Sequence, residues 1–245
     1  MNLSSKRVLV TGGTGGVGLA LAEALTALGA SVVTCGRTAS GGHAVRADLA
    51  VPGEAARVVA EAVERLGGLD VVVANAAVQY RTPLTLGPDP ELLALARQEI
   101  EVNLASVVEL AAAAWPHLAA AAPAGPPGAA FVAVTSGLAY APKQSAPVYC
   151  ATKAAVHILL ESLRHQARTT SPGVRVQEVV LPLVDTAMTA GREGPARKLA
   201  PARAADAVVR GIVRGRPVVA VGATRALLAL LRLAPPVGRR VLRDG

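Results

Sequence analysis

Aromatic side chains are nearly missing from this chain, which has one phenylalanine, one tryptophan and three tyrosines among 245 residues. Without interleaved aromatics, its basic stretches lack the stacking platforms of a nucleic-acid binder. Cysteine is just as scarce. Cys35 and Cys150 stand far apart and give neither a disulfide framework nor a metal-ligand pattern, so both read as small core residues. His43, His117, His157 and His165 also lack ligand spacing, and no metal is expected. No apolar run reaches the ~18 residues of a membrane span, because Glu109 and Trp115-Pro116-His117 interrupt the longest one. The apolar run near Met1 is too short for a signal peptide. These absences lead to the expectation of a cytoplasmic protein.

What is abundant is small and apolar. With 52% hydrophobic and 17% charged residues, the chain reads as folded and long enough to bury a sizeable core. Short β-branched runs alternate with amphipathic stretches. Strands are predicted at Arg7 to Thr11, at Ser31 to Cys35, and at "HAVRADL", "LDVVVANAA", "AAFVAVTS" and "VRVQEVVL". Helices are predicted at Val17 to Leu28, in a stretch opened by Pro52, from about Pro90 to Ala121, and around Tyr149. Continuously apolar strands alternating with helices imply a parallel sheet covered on both faces, a three-layer, doubly wound α/β fold. No linker splits the chain, and "PAGPPG" (Pro123 to Gly128) reads as a loop at the sheet edge, so one domain over 1–245 is expected.

Three features carry chemistry. After the first strand comes "TGGTGGVG", in which Gly13, Gly15 and Gly18 satisfy G-x-G-x-x-G and Thr11, Gly12, Gly16 and Gly18 satisfy T-G-x-x-x-G-x-G. Glycines there permit a tight turn and let backbone approach a pyrophosphate at the positive end of the next helix. After the second strand, where an acidic residue would meet the ribose 2′-hydroxyl of NAD, stand Gly36 and Arg37. An arginine binds a 2′-phosphate through charge-assisted bonds, which favours NADP over NAD; a merely solvated loop arginine is the alternative. Finally, Tyr149 precedes Lys153 by four residues and so shares its helix face. A nearby ammonium lowers the phenol's pKa toward the working range of a proton-transfer group. A half-buried tyrosine beside an exposed lysine gives the same spacing.

The order of these motifs resembles that of the short-chain dehydrogenase/reductase family, in its compact single-domain form, from Thr11 to about Thr186. The matching residues are "TGGTGGVG", Asp48, Asn75-Ala76-Ala77, Asn103 in "EVNLAS", Ser136, and "YCATK" with Ser136 thirteen residues before Tyr149. The resemblance implies that Tyr149 is the general acid or base, that Lys153 lowers its pKa and holds the nicotinamide ribose, and that Ser136 fixes the substrate oxygen. Asn103 would hold a water leading from Lys153 to solvent. It further implies cofactor contacts from Gly12, Thr14, Gly16, Val17, Gly18, Arg37, Asp48, Leu49, Asn75, Ala76, Lys153, Val184 and Thr186. Three departures stand out. Ala77 replaces a glycine, Leu181-Pro182 replaces Pro-Gly ahead of Val184 and Thr186, and only ten residues separate Arg37 from Asp48, too few for the usual helix.

The expected function is therefore NADP-dependent hydride transfer between nicotinamide and the carbonyl or secondary alcohol of a small, hydrophobic substrate, with a catalytically silent NADP-binding scaffold as the alternative. A homodimer or homotetramer is expected from the alanine- and leucine-rich helix surfaces. The formal charge of +8 is lodged late: 12 basic face 3 acidic residues from Ala187 onward, against 13 and 14 before it. The basic, leucine-rich segment at about 223–245 is expected to be ordered with its leucines packed and arginines solvated. Peripheral contact with an anionic membrane or an acidic carrier protein is the alternative.

Overall fold

A computed structural model describes residues 1–122, 128–191 and 197–243. In chain order it forms β1 (Arg7–Thr11), α1 (Gly16–Ala27), β2 (Ser31–Gly36), β3 (Ala44–Arg46), α2 (Glu54–Leu66), β4 (Val71–Ala74), α3 (Pro90–Ile100) and α4 (Ser106–Ala121). There follow β5 (Ala129–Ser136), α5 (Pro147–Thr170), β6 (Val174–Leu181), α6 (Pro201–Arg214), β7 (Val218–Ala220), α7 (Thr224–Leu233) and α8 (Pro235–Val241). The seven strands form one parallel sheet in the order β3-β2-β1-β4-β5-β6-β7. The chain reverses direction across the sheet between β1 and β4, the crevice where ligands bind in open α/β sheets.

Period-two alternation divides the core. Leu9, Val33, Val72 and Phe131 face α2, α4 and α5, whereas Val8, Val10, Val32, Val73 and Val132 face α1 and α6. Both faces are thus covered, as continuously apolar strands require. The lone phenylalanine, Phe131, lies fully buried in a central strand.

Several boundaries differ from the sequence reading. Helix α2 begins at Glu54 rather than at Pro52, because Gly53 turns into the helix with φ +89°, a left-handed conformation suited to glycine. The helix predicted over Pro90 to Ala121 is three pieces. Asp89 caps α3 by accepting from the Glu91 and Leu92 amides, and a π turn at Glu101–Ala105 joins α3 to α4. This composite is 32 residues long and apolar enough to span a membrane by length and composition, which corrects the sequence reading. Its α4 part buries Leu110, Ala114 and Leu118 against the sheet. Strands β7 and helices α6, α7 and α8 were not foreseen as elements. The predicted "PAGPPG" loop falls, except for Gly128, outside the described residues. Between Arg37 and Asp48 the chain makes only a turn and the short β3, as its length requires.

The described part of the basic end, through Arg243, forms α7 and α8 and a closing turn. Its leucines are packed only in part, Leu227 being buried and Leu233 86% exposed, and Arg225, Arg232, Arg239 and Arg240 are exposed. The added Cβ of an alanine at Gly137 would come within 2.9 Å of Leu227 Cδ2 and 3.6 Å of Leu242 Cδ1, so α7 and the turn after α8 press directly on the segment following β5.

Candidate active site

A cavity of about 350 Å³ opens at the carboxyl ends of the central strands and is bounded by residues from Gly12 to Thr189. One end is built from backbone. Gly12 (φ +67°) and Gly16 (φ +54°) adopt conformations that favour glycine. A Cβ on Gly18 would stand 2.1 Å from the Gly12 carbonyl oxygen, whereas one on Gly15 would meet nothing within 4 Å. Gly15 is the N-cap of α1 and supplies no side chain to the first turn, and no acidic residue stands there. The amides at this helix end are left to face an anion, which the positive end of the helix favours. A dinucleotide pyrophosphate fits that cradle.

Side chains fix the turn from behind. Thr11 Oγ1 accepts from the Asn75 and Ala76 amides at 3.0 Å each, and Asn75 Nδ2 donates to the Thr11 carbonyl at 2.9 Å. Asn75 therefore ties β4 to the glycine turn while also bordering the cavity. Thr14 stands over Gly36, where a Cβ would approach it to 2.8 Å. Beyond Gly36, the exposed Arg37 and the residues Ala47, Asp48 and Leu49 bound the far end of the cavity. Asp48 Oδ1 also accepts from the Ala50 amide at 3.1 Å. Val17, Ala76, Val184 and Thr186 border the cavity as well. Pro182 follows directly on β6, and the segment beyond it is held by an isolated bridge between Val184 and Leu199. Thr186 lies against Gly16, with Thr189 bonded to it.

The other end is built from buried polar side chains. Helix α5, which begins at Pro147, brings Tyr149 and Lys153 to the wall that Ser136, the last residue of β5, also borders. Lys153 Nζ lies 5.7 Å from the Tyr149 ring centroid and donates to the Val134 carbonyl at 2.9 Å. The lysine is 3% exposed, and burial alone pulls its pKa down to about 8. Ser136 Oγ accepts from the Leu138 amide at 3.2 Å, which leaves its own proton to donate outward.

Asn103 is placed differently from the other predicted residues. The π turn carries it behind the wall, fully buried, where Oδ1 accepts from the Val78 amide and Nδ2 donates to the Val78 carbonyl, both at 2.8 Å. Its amide thereby grips the strand exit from both sides, and Nδ2 lies 3.4 Å from Thr152 Oγ1.

Sequence reasoning missed two groupings. The fully buried Glu178 accepts from Thr135 Oγ1 at 2.6 Å and Tyr140 OH at 2.9 Å, and pairs with His157 Nδ1 at 2.8 Å. Burial and this carboxylate hold the Tyr140 phenol far above its ordinary pKa. The network brackets the Ser136 turn between residues 135 and 140. Only the presence of Glu178 inside an apolar strand hinted at it. Near Tyr149, Gln79 and Gln98 also border the cavity. A polar residue one turn before Val102 carries no sequence signal of its own.

A parallel sheet with a glycine turn at its crevice and a tyrosine–lysine pair across the cavity defines a nicotinamide-dependent oxidoreductase of the Rossmann type. The short chain dehydrogenase family model matches residues 6–195, and the chain belongs to that family. It is 38% identical over 198 residues to a Bacillus subtilis (strain 168) protein named uncharacterized oxidoreductase DltE, covering 77% of this chain and 75% of that one. It is 33% identical over 187 residues to L-fucose dehydrogenase of Mus musculus, covering 69% and 65%. Among solved structures, a short chain dehydrogenase from Burkholderia cenocepacia J2315 in complex with NADP superposes with a TM-score of 0.83 at 28% identity, covering 99% of this chain and 100% of that one.

Proposed function

We propose that this oxidoreductase uses NADP to interconvert a small carbonyl compound and its secondary alcohol. The observation that carries the reading is the convergence of Ser136, Tyr149 and Lys153 on the cavity whose opposite end is the uncapped glycine turn. A bound nicotinamide supplies or accepts the hydride. Every other task falls to the chain. Ser136 donates to the substrate oxygen, and Tyr149 gives that oxygen its proton in reduction or removes it in oxidation. Lys153, charged below pH 8, stabilises the phenolate left behind. Asn103 acts indirectly, by holding Val78 at the wall. Arg37, which makes no hydrogen bond among the described residues, is free to meet a 2′-phosphate and supports the choice of NADP.

Exposed Val108 on α4 and Ile158 on α5 support a homo-oligomer in which these helices pair, since isolated apolar surface of this kind is commonly buried between subunits. We place the enzyme in the cytoplasm, with the arginines of α7 and α8 solvated. The test is NADPH oxidation against a panel of ketones, compared with Tyr149→Phe. Loss of a general acid should cut kcat by about 10²–10⁴-fold. Turnover that survives this substitution overturns the mechanism.

A further inference from the structure

The substrate end of the cavity holds a donor with no partner. Tyr80 OH donates to Gln98 Oε1 at 2.7 Å, and with its oxygen so engaged the amide turns its Nε2 away from Tyr80. The Tyr80 backbone is itself anchored, its amide donating to Glu99 Oε1 at 2.6 Å. Gln98 Nε2, with two N–H groups, has no partner among the described residues, and Gln98 borders the cavity. The segment that carries Tyr80 also meets the loop leading into α5, since the Thr82 amide donates to the Ser145 carbonyl at 3.3 Å. Helix α3, which carries Gln98, packs against α5, so Gln98 stands on the Tyr149 side of the cavity.

Charge narrows what this donor can meet. The cavity borders include two basic residues, Arg37 at the far end and Lys153, whose ammonium already donates to Val134. A carboxylate or phosphate near the reacting carbon would find no second cation there. A wholly apolar substrate would leave the Gln98 N–H groups dry and unpaired, which is costly. Both extremes are disfavoured.

We propose that Gln98, held by Tyr80, is a specificity-determining donor that selects neutral carbonyl compounds or alcohols carrying an oxygen acceptor, hydroxyl or ether, close to the reacting carbon. This rests on the oxidoreductase reading above, and it replaces the hydrophobic substrate suggested by the sequence. Tyr80 is a positioning residue that acts through Gln98.

A matched pair of ketones tests it. 2-Methoxycyclohexanone and 2-ethylcyclohexanone differ by one ether oxygen that can only accept. The protein should prefer the methoxy compound by at least about tenfold in kcat/KM. Gln98→Leu and Gln98→Glu should both bring that ratio to about one, mainly through KM, and Tyr80→Phe should lower it part of the way. Gln98→Glu is the informative variant, because it keeps the side-chain size and can still accept from Tyr80 but has no N–H to offer. A ratio cancels differences in the folded fraction. A ratio near one in the unaltered protein, or a preference kept by Gln98→Glu, overturns the proposal. Reduction of neither ketone by protein that binds NADPH, followed by nucleotide fluorescence, also overturns it. Failure to bind either NADPH or NADH would instead bring down the oxidoreductase reading beneath it.

Discussion

The glycine turn after β1 and the start of α5 meet the same cavity by opposite means. Between Gly12 and Gly18 side chains are withheld, so that main-chain amides can approach a ligand and one carbonyl can pass within contact of a helix. Around Tyr149 the wall is made of polar side chains, two of them held by backbone, Lys153 by Val134 and Ser136 by Leu138. The first arrangement has no room for an added atom at Gly12, Gly16 or Gly18. The second tolerates no missing partner. The difference predicts that damage at the glycine end will register as lost cofactor, and damage at the tyrosine end as lost rate or altered stability.

The largest test is Gly18→Ala. Its Cβ would sit 2.1 Å from the Gly12 oxygen, so the turn must move. Overpacking of this kind costs about 1–3 kcal/mol of stability, and displaced pyrophosphate amides should weaken NADPH by a further ~100-fold, about 2.7 kcal/mol. Titration of nucleotide fluorescence and urea unfolding measure the two parts. A variant that binds NADPH normally would show that the backbone end is less exacting than its geometry.

Asn103→Leu comes next, at the other end. Loss of both bonds leaves the half-buried Val78 N–H and C=O without their partner, for about 1–3 kcal/mol of stability. Urea midpoints measure it, and kcat should fall further than cofactor affinity. An equal fall in both would erase the division drawn above.

Lys153 gives a pH signature of about 3 kcal/mol or a little more, from a shift of 10.5 to about 8. Below pH 8 both folded and unfolded chains carry the proton, and folding must bury the charge. Between pH 8 and 10.5 the unfolded chain alone retains it, so this lysine's contribution to stability rises with pH across that window. The stability of Lys153→Met relative to the unaltered protein should therefore decline from pH 8 to 10.5, as read from urea unfolding at several pH values. A constant difference would mean that the ammonium is not desolvated.

Arg37→Asp has the smallest expected effect, because the side chain is exposed. Loss of charge-assisted bonds should weaken NADPH relative to NADH by about 10- to 100-fold, or 1.5–3 kcal/mol. Unaltered relative affinities would place the 2′-phosphate elsewhere.

How much could be read beforehand divides along similar lines. β1, β5 and β6 stand where their β-branched runs end, because a strand buried on both faces leaves a continuous apolar record. The glycine turn was legible since glycine spacing reports backbone geometry directly. Tyr149, Lys153 and Ser136 were legible only through spacing along the chain, and the structure brings all three to one wall. Asn103 was found, but its two bonds to Val78 were not foreseen, because sequence position does not tell which groups a buried amide will face. Glu178, Tyr140 and Gln98 escaped notice. Their partners lie on other elements, and pairings such as Tyr140 with Glu178 leave no local periodicity. The three-residue β7 was missed for a related reason, since it is too short to show alternation and depends on pairing with β6.

The packing of the basic end against Gly137 also has a consequence in time. Thr224, Leu227 and Leu242 wall in the turn behind Ser136, and the Gln144 amide donates to the Arg243 carbonyl at 3.0 Å. On the ribosome, β1, α1 and β4 emerge long before these residues do. The outer support of the reacting end therefore arrives only with the last elements described, after every strand that borders the cavity has emerged.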